Sequence, residues 1–222
     1  MLLAGDAAHV HYPVSGQGLN LGVQDAVNLG WKLAQVVRGI SPDGPLDACH
    51  TERHPVAARV LQTTMAQTAL TRSDPRLDAL RASVTELLAL DEPRQRHGAM
   101  ISGLDIHYDL GGDHPLVVRR MPDGALETTT GATSICSLLH DARPVPLNGG
   151  VPGPAAAVAG PTRLKRVDAR LAGTIVLPVL GVVSTPPAVL IRPDGHVAWA
   201  GACDEPGLRD ALAARCGAPD AT

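Results

Sequence analysis

Residues 2–34 read LLAGDAAHVHYPVSGQGLNLGVQDAVNLGWKLA. The apolar run Leu2–Ala4 predicts a short buried strand stopped by Gly5-Asp6, and Pro13, Gly16 and Gly18 make Val10 to Gly18 a loop. A helix is expected from about Asn20. Val23, Ala26, Val27, Gly30, Leu33, Ala34 and Val37 recur at helical spacing on one face, Gln24, Asp25, Asn28, Lys32 and Gln35 lie elsewhere, and Gly39 supplies a stop. This order of elements puts the Asp6 carboxylate at the C-terminal edge of a strand, where α/β sheets commonly bind ligands. Glycine has no Cβ, so Gly16-Gln17-Gly18 lets backbone approach a ligand closely. The helix start adds unpaired N–H groups and the positive end of a dipole, which suits an anionic ring edge. On physical grounds alone, a ligand site and an ordinary α/β connection fit this stretch equally well.

Outward from it, a second long helix is expected over about Leu46 to Thr71, with Pro55 as a kink point. Ser73-Asp74-Pro75 reads as an N-cap with proline in the first turn. The helix that follows carries Leu77, Leu80, Val84, Leu87 and Leu88, and Pro93 begins a further short one to about Ser102. After Gly111-Gly112-Asp113-His114-Pro115 the helical periodicity gives way to short β-like runs between prolines and glycines, which marks a domain boundary. Strands are expected at Arg143 to Leu147 and Thr174 to Leu177. In PAVLIRPDGHVAWAG, residues 187–201, two apolar runs flank Pro193-Asp194-Gly195 as a hairpin. Gly149 to Gly160 reads as a loose surface loop.

Composition narrows the function classes. The 222 residues carry a net charge of −3, 45% apolar and 18% charged residues, which is the make-up of a folded globular chain. With no Phe and only two Tyr and two Trp, there is little material for base stacking, so a nucleic-acid platform is not expected. Cys49, Cys136, Cys203 and Cys216 form no CxxC, which argues against a zinc knuckle or a dithiol site. Cys136 and Cys203 are expected to be buried. No run approaches the ~18 apolar residues of a membrane span, and no targeting segment is visible, so a cytoplasmic location is expected.

The residue pattern Gly5-Asp6-Ala7-Ala8-His9, Pro13, Gly16-Gln17-Gly18-Leu19-Asn20, Asp25-Ala26-Val27-Asn28-Leu29 and Trp31-Lys32-Leu33-Ala34 resembles the second FAD-binding motif of flavin-dependent aromatic hydroxylases, of the para-hydroxybenzoate hydroxylase class. ISGLDIHYDLGGDHPL (101–116), LLHDARPVPL (138–147), and Pro187 with its PDG hairpin are similar to the later part of the polyketide and anthracycline-type members, which end in a thioredoxin-like domain. The resemblance implies an α/β chain in two parts: residues 1–113, the C-terminal part of an FAD-binding domain with a short strand plus several helices, and residues 114–222, a thioredoxin-like α/β domain without CxxC. It implies that Asp6 binds the ribityl chain of FAD and that the Gly16 to Asn20 backbone, through Gln17, Gly18 and Leu19, faces the pyrimidine edge of the ring. Pro13 would line the flavin and substrate cavity. The implied reaction uses NAD(P)H and O2 to hydroxylate a phenolic or polyketide aromatic substrate through a flavin hydroperoxide.

No GxGxxG follows a strand in this sequence, so the resemblance is to the C-terminal portion of such enzymes. Poor FAD binding by this chain alone is therefore expected, along with weak folding of residues 1–100. A separately encoded N-terminal half or a homo-oligomer is the partner that would follow. A non-catalytic remnant or interaction module is the alternative. No catalytic side chain emerges. His9-Val10-His11 and the i, i+4 pair His50 and His54 lack the further ligands of a metal site, so none is expected. Asp105, His107, Asp109, Asp113 and His114 read as a structural turn, and Trp31 and Trp199 as packing anchors.

Overall fold

A computed structural model describes residues 1–14, 16–41, 44–109, 111–149, 164–171, 174–202 and 206–216. The chain divides into two compact units, one of residues 1–30 and 46–106, the other of residues 31–45 and 107–222.

The first unit is helical among its described residues. A single turn, α1 (Asp6–His9), precedes α2 (Gln17–Val37), α3 (Gly44–Leu70), α4 (Pro75–Leu88) and α5 (Asp91–Ser102); the last residues of α2 and the first two of α3 belong to the second unit. α3 passes through Pro55 as one helix. α4 begins as its sequence dictates: the Asp74 side chain accepts the Arg76 N–H at 2.8 Å and Pro75 occupies the first turn, where its missing N–H costs nothing. Gly103 ends α5 in the left-handed conformation. Asp105, at the end of this unit, takes both Arg59 nitrogens at 2.8 Å, a two-pronged pair that fixes the exit of α5 against α3.

Two expectations fail here. Leu2–Ala4 forms no strand, since no described segment offers the neighbouring ladder a strand needs, and Leu2 and Leu3 are exposed. The burial of α2 is also the reverse of its hydrophobic pattern. Its buried residues are Gln17, Leu21, Asp25, Asn28, Trp31, Lys32 and Gln35, whereas Leu19, Val23, Val27, Leu33 and Val37 face outward. α2 starts at Gln17, three residues before the expected position.

The second unit is built on a six-stranded sheet with β1 (Ala125–Thr128), β2 (Gly131–Ser134), β3 (Val145–Asn148), β4 (Val167–Leu171), β7 (Ala188–Ile191) and β8 (Val197–Gly201) in the order β2-β1-β4-β3-β7-β8. β3 runs parallel to β4 and antiparallel to β7, and β7 and β8 form the expected hairpin. The short helix α6 (Ile135–Leu138) follows β2, and α7 (Pro206–Cys216) follows β8. A separate ribbon of β5 (Ile175–Leu177) and β6 (Gly181–Val183) sends Ile175, Leu177 and Val183 into a core shared with Leu116, Leu126, Val145, Ile191 and Val197. β3 lies two residues later than expected at its start. Gly150 to Gly160, most of the expected loop, lies outside the described residues, as does Cys203. Cys136 is exposed, contrary to expectation, because it sits on the outer side of α6 while Ile135 and Leu138 turn inward.

Candidate functional site

The first unit holds a cleft of about 760 Å³ between the start of α1 and the start of α2, lined among others by Gly5, Asp6, His11, Pro13, Gly18 and Leu19. Five of the seven residues implied by the motif, Asp6, Pro13, Gly16, Gly18 and Leu19, meet on this one surface. The other two do not line it. The Gln17 side chain is buried and donates to the Ile101 carbonyl at 3.0 Å. Asn20 is exposed and outside the lining.

The walls follow from local sequence. Gly5 adopts φ 59°, ψ −143°, a conformation other residues avoid, and its Cα faces Gly22, so a Cβ at Gly5 would lie 3.7 Å from the Gly22 Cα. Two bare residues thus allow α1 and α2 to approach, leaving Asp6 exposed at the mouth. Gly16 turns the chain into α2 at φ 66° with open space beside it, while a Cβ at Gly18 would meet the His11 ring at 3.6 Å. On the α2 side the cleft is therefore bounded by the bare backbone of Gly18 and Gly22 together with Leu19, Val23 and Ala26. The first-turn N–H groups of a 21-residue helix have no partners within it and carry the positive end of its dipole.

These features fit the ring and ribityl part of a flavin. The bare backbone admits a flat ring edge, and the helix start complements negative charge on it. The buried His11 Nε2, which has no hydrogen-bond partner, supplies a polar contact on the same surface. Asp6 is placed to accept from hydroxyls. No Lys or Arg lines the cleft, so it is poorly suited to a pyrophosphate.

Behind the cleft lies a buried charged group that pattern reading missed. The Asp25 carboxylate accepts from the Gly5 N–H at 3.0 Å, from His9 Nε2–H at 2.5 Å and from Arg53 Nε–H at 2.7 Å. Burial alone would raise its pKa, but the hydrogen bonds from His9 and Arg53 outweigh it and hold the group below the ordinary carboxylate range. Asp25 was visible as part of the motif, but Arg53 lies 28 residues later and nothing in the spacing links the two. His50 and His54 are exposed, with rings 4.8 Å apart. No group of three or more potential metal ligands occurs among the described residues, and no helix there is long and apolar enough to cross a membrane.

Residues 1–64 match a family model described as an FAD binding domain, and residues 114–219 match one described as the C-terminal region of aromatic-ring hydroxylases. The chain is 43% identical over 221 residues to the 12-dehydrotetracycline 5-monooxygenase/anhydrotetracycline 6-monooxygenase of Streptomyces rimosus, an alignment covering 99% of this chain and 44% of that protein. It is 43% identical over 201 residues to a rifampicin monooxygenase of Streptomyces venezuelae, covering 90% and 39%. Among solved structures, CabE, an aromatic hydroxylase from angucycline biosynthesis, aligns at a TM-score of 0.88 and 46% identity over 98% of this chain and 44% of that one. The chain thus spans less than half the length of these relatives. By sequence and by fold, it belongs to the FAD-dependent aromatic-ring hydroxylases of the polyketide type.

Proposed function

We propose that this chain supplies the ring-facing part of the FAD site of an aromatic-ring monooxygenase that uses NAD(P)H and O2 to hydroxylate a phenolic or polyketide aromatic substrate. The observation that carries this reading is the convergence of Asp6, Gly16, Gly18 and Leu19 on one cleft whose lining holds no Lys or Arg. When bound, FAD would supply the electron transfer and oxygen activation. The chain's own share would be to hold the ribityl hydroxyls at Asp6, place the ring edge over the start of α2, and keep water from one side with Pro13 and Leu19.

In the second unit, the order β4-β3-β7-β8, with β3 parallel to β4 and α7 after the hairpin, supports a thioredoxin-like reading of residues 114–222. Without CxxC, thiol redox chemistry does not follow.

The outward apolar stripe of α2 favours a further polypeptide against the first unit. Val27 is 46% exposed, and Leu19 and Val23, at 80% and 53%, are exposed where they continue the cleft wall, a pattern that suits burial against protein beside the cleft. This supports a separately encoded N-terminal half or a second copy as partner, and it equally serves the alternative of an interaction module without turnover. Equilibrium dialysis against FAD separates the two readings. The enzyme reading expects measurable though weak retention by the wild-type chain and several-fold less by Asp6→Ala. Equal retention by both, or none by either, overturns it.

A further inference from the structure

We infer that Asp25 is a positioning residue for the cleft, holding the Gly5-Asp6 turn in the orientation that presents Asp6, with Arg53 and His9 as its counterparts; this rests on the proposed flavin site.

Both carboxylate oxygens are in use. Oδ2 takes the Gly5 N–H and the His9 ring, the two ends of the α1 turn, while Oδ1 takes Arg53. The Gly5 carbonyl in turn accepts the N–H groups of Ala8 at 2.8 Å and His9 at 3.1 Å, so the turn is closed on itself from both sides. Arg53 is fixed independently, its Nη2 donating to the Leu21 carbonyl at 3.4 Å and to Gln24 Oε1 at 3.3 Å, both on α2. Asp25, Arg53 and His9 are all buried.

Joining two helices does not require a buried carboxylate, since apolar residues of similar volume do so at no desolvation cost. What apolar packing cannot do is fix the direction of one backbone N–H. Here that N–H belongs to Gly5, whose backbone is in a conformation that glycine alone adopts freely and whose next residue is Asp6. The carboxylate thus selects one of the many conformations open to glycine and fixes the turn beside the cleft. Asp25 does not line that cleft, so any effect on binding passes through Gly5-Asp6.

The test uses the chain with riboflavin as probe, comparing wild type with Asp25→Asn, Arg53→Lys and Asp6→Ala, with backbone amide NMR shifts as a second readout. Asp25→Asn is expected to shift the Gly5, Asp6 and Ala7 amides and to weaken riboflavin about ten-fold, the size of one charge-assisted hydrogen bond. Arg53→Lys keeps the charge and is expected to give intermediate values of both. It also serves where Asp25→Asn fails to fold. Asp6→Ala is expected to weaken riboflavin without moving the Gly5 amide. Unmoved Gly5 and Asp6 amides in folded Asp25→Asn or Arg53→Lys would overturn the inference, as would unchanged affinity in the folded variants when wild type binds. If wild type binds no riboflavin, the flavin reading fails instead, and the amide shifts still decide whether Asp25 orients the turn.

Discussion

Gly5 and Gly18 show how two glycines of one motif differ in kind. At Gly5 the backbone is in a region that side chains avoid, so Gly5→Ala is expected to cost about 1–3 kcal/mol, read as a fall in the urea midpoint. At Gly18 an added Cβ makes ordinary contact with the His11 ring. Gly18→Ala should therefore leave the unfolding midpoint nearly unchanged while lowering flavin affinity, because the methyl group occupies the face that a ring edge would approach. The motif made both glycines conspicuous in the sequence. Which of them serves the fold and which serves the cleft depends on φ and on the neighbour across the gap, and neither is a property of spacing. Arg53 shows the limit more sharply: it falls in no motif and nothing in its spacing points to Asp25, yet it is buried on Asp25.

At the scale of elements, α2 and the β7–β8 hairpin were legible to different degrees. The hairpin formed where Pro193-Asp194-Gly195 placed it, since turn chemistry and alternation act locally. For α2, the helix was legible but its buried face was not. Its polar residues are satisfied inside by partners distant in sequence, as where Asn28 donates to Glu52 at 2.7 Å. Periodicity detects a face without saying what covers it. If the outward stripe is a docking surface, Val23→Asp and Val27→Asp should change the stability of the chain by no more than about 0.5 kcal/mol. They should also reduce self-association or partner capture measured by sedimentation. The hidden face should respond oppositely: Arg53→Ala, which leaves Asp25 buried without its cation, is expected to destabilise the first unit by about 3–5 kcal/mol.

Across the whole molecule, acid sensitivity is expected from carboxylates held ionised inside each unit. In the second unit, burial alone would raise the pKa of Asp194, but Arg192 and His196 outweigh that and hold it far below the ordinary range. Asp194 also accepts from Trp31 Nε1–H at 3.3 Å, and the Arg192 guanidinium lies 5.1 Å from the Trp31 ring and 5.4 Å from that of Tyr108. Because the folded-state pKa of Asp194 is depressed, its contribution is fully present above the unfolded carboxylate value of about 3.9 and is lost as pH falls below it toward the folded one. Asp25 shifts in the same direction in the first unit. Stability measured by denaturant titration should therefore decline from about pH 5 downward, and Asp194→Asn should flatten that decline in the second unit. None of this was legible beforehand, since Asp194 was read only as a turn residue.

The central claim is that the cleft between α1 and α2 takes the ring and ribityl part of FAD and not its adenine and pyrophosphate part. Amide NMR titrations of the chain with riboflavin and, separately, with ADP test it most directly. The account predicts that riboflavin shifts the amides of Asp6, Gly16, Gly18 and Leu19 in a saturable manner while ADP leaves them in place. Shifts from ADP equal to those from riboflavin, or no shifts from riboflavin at saturating concentration, would contradict it.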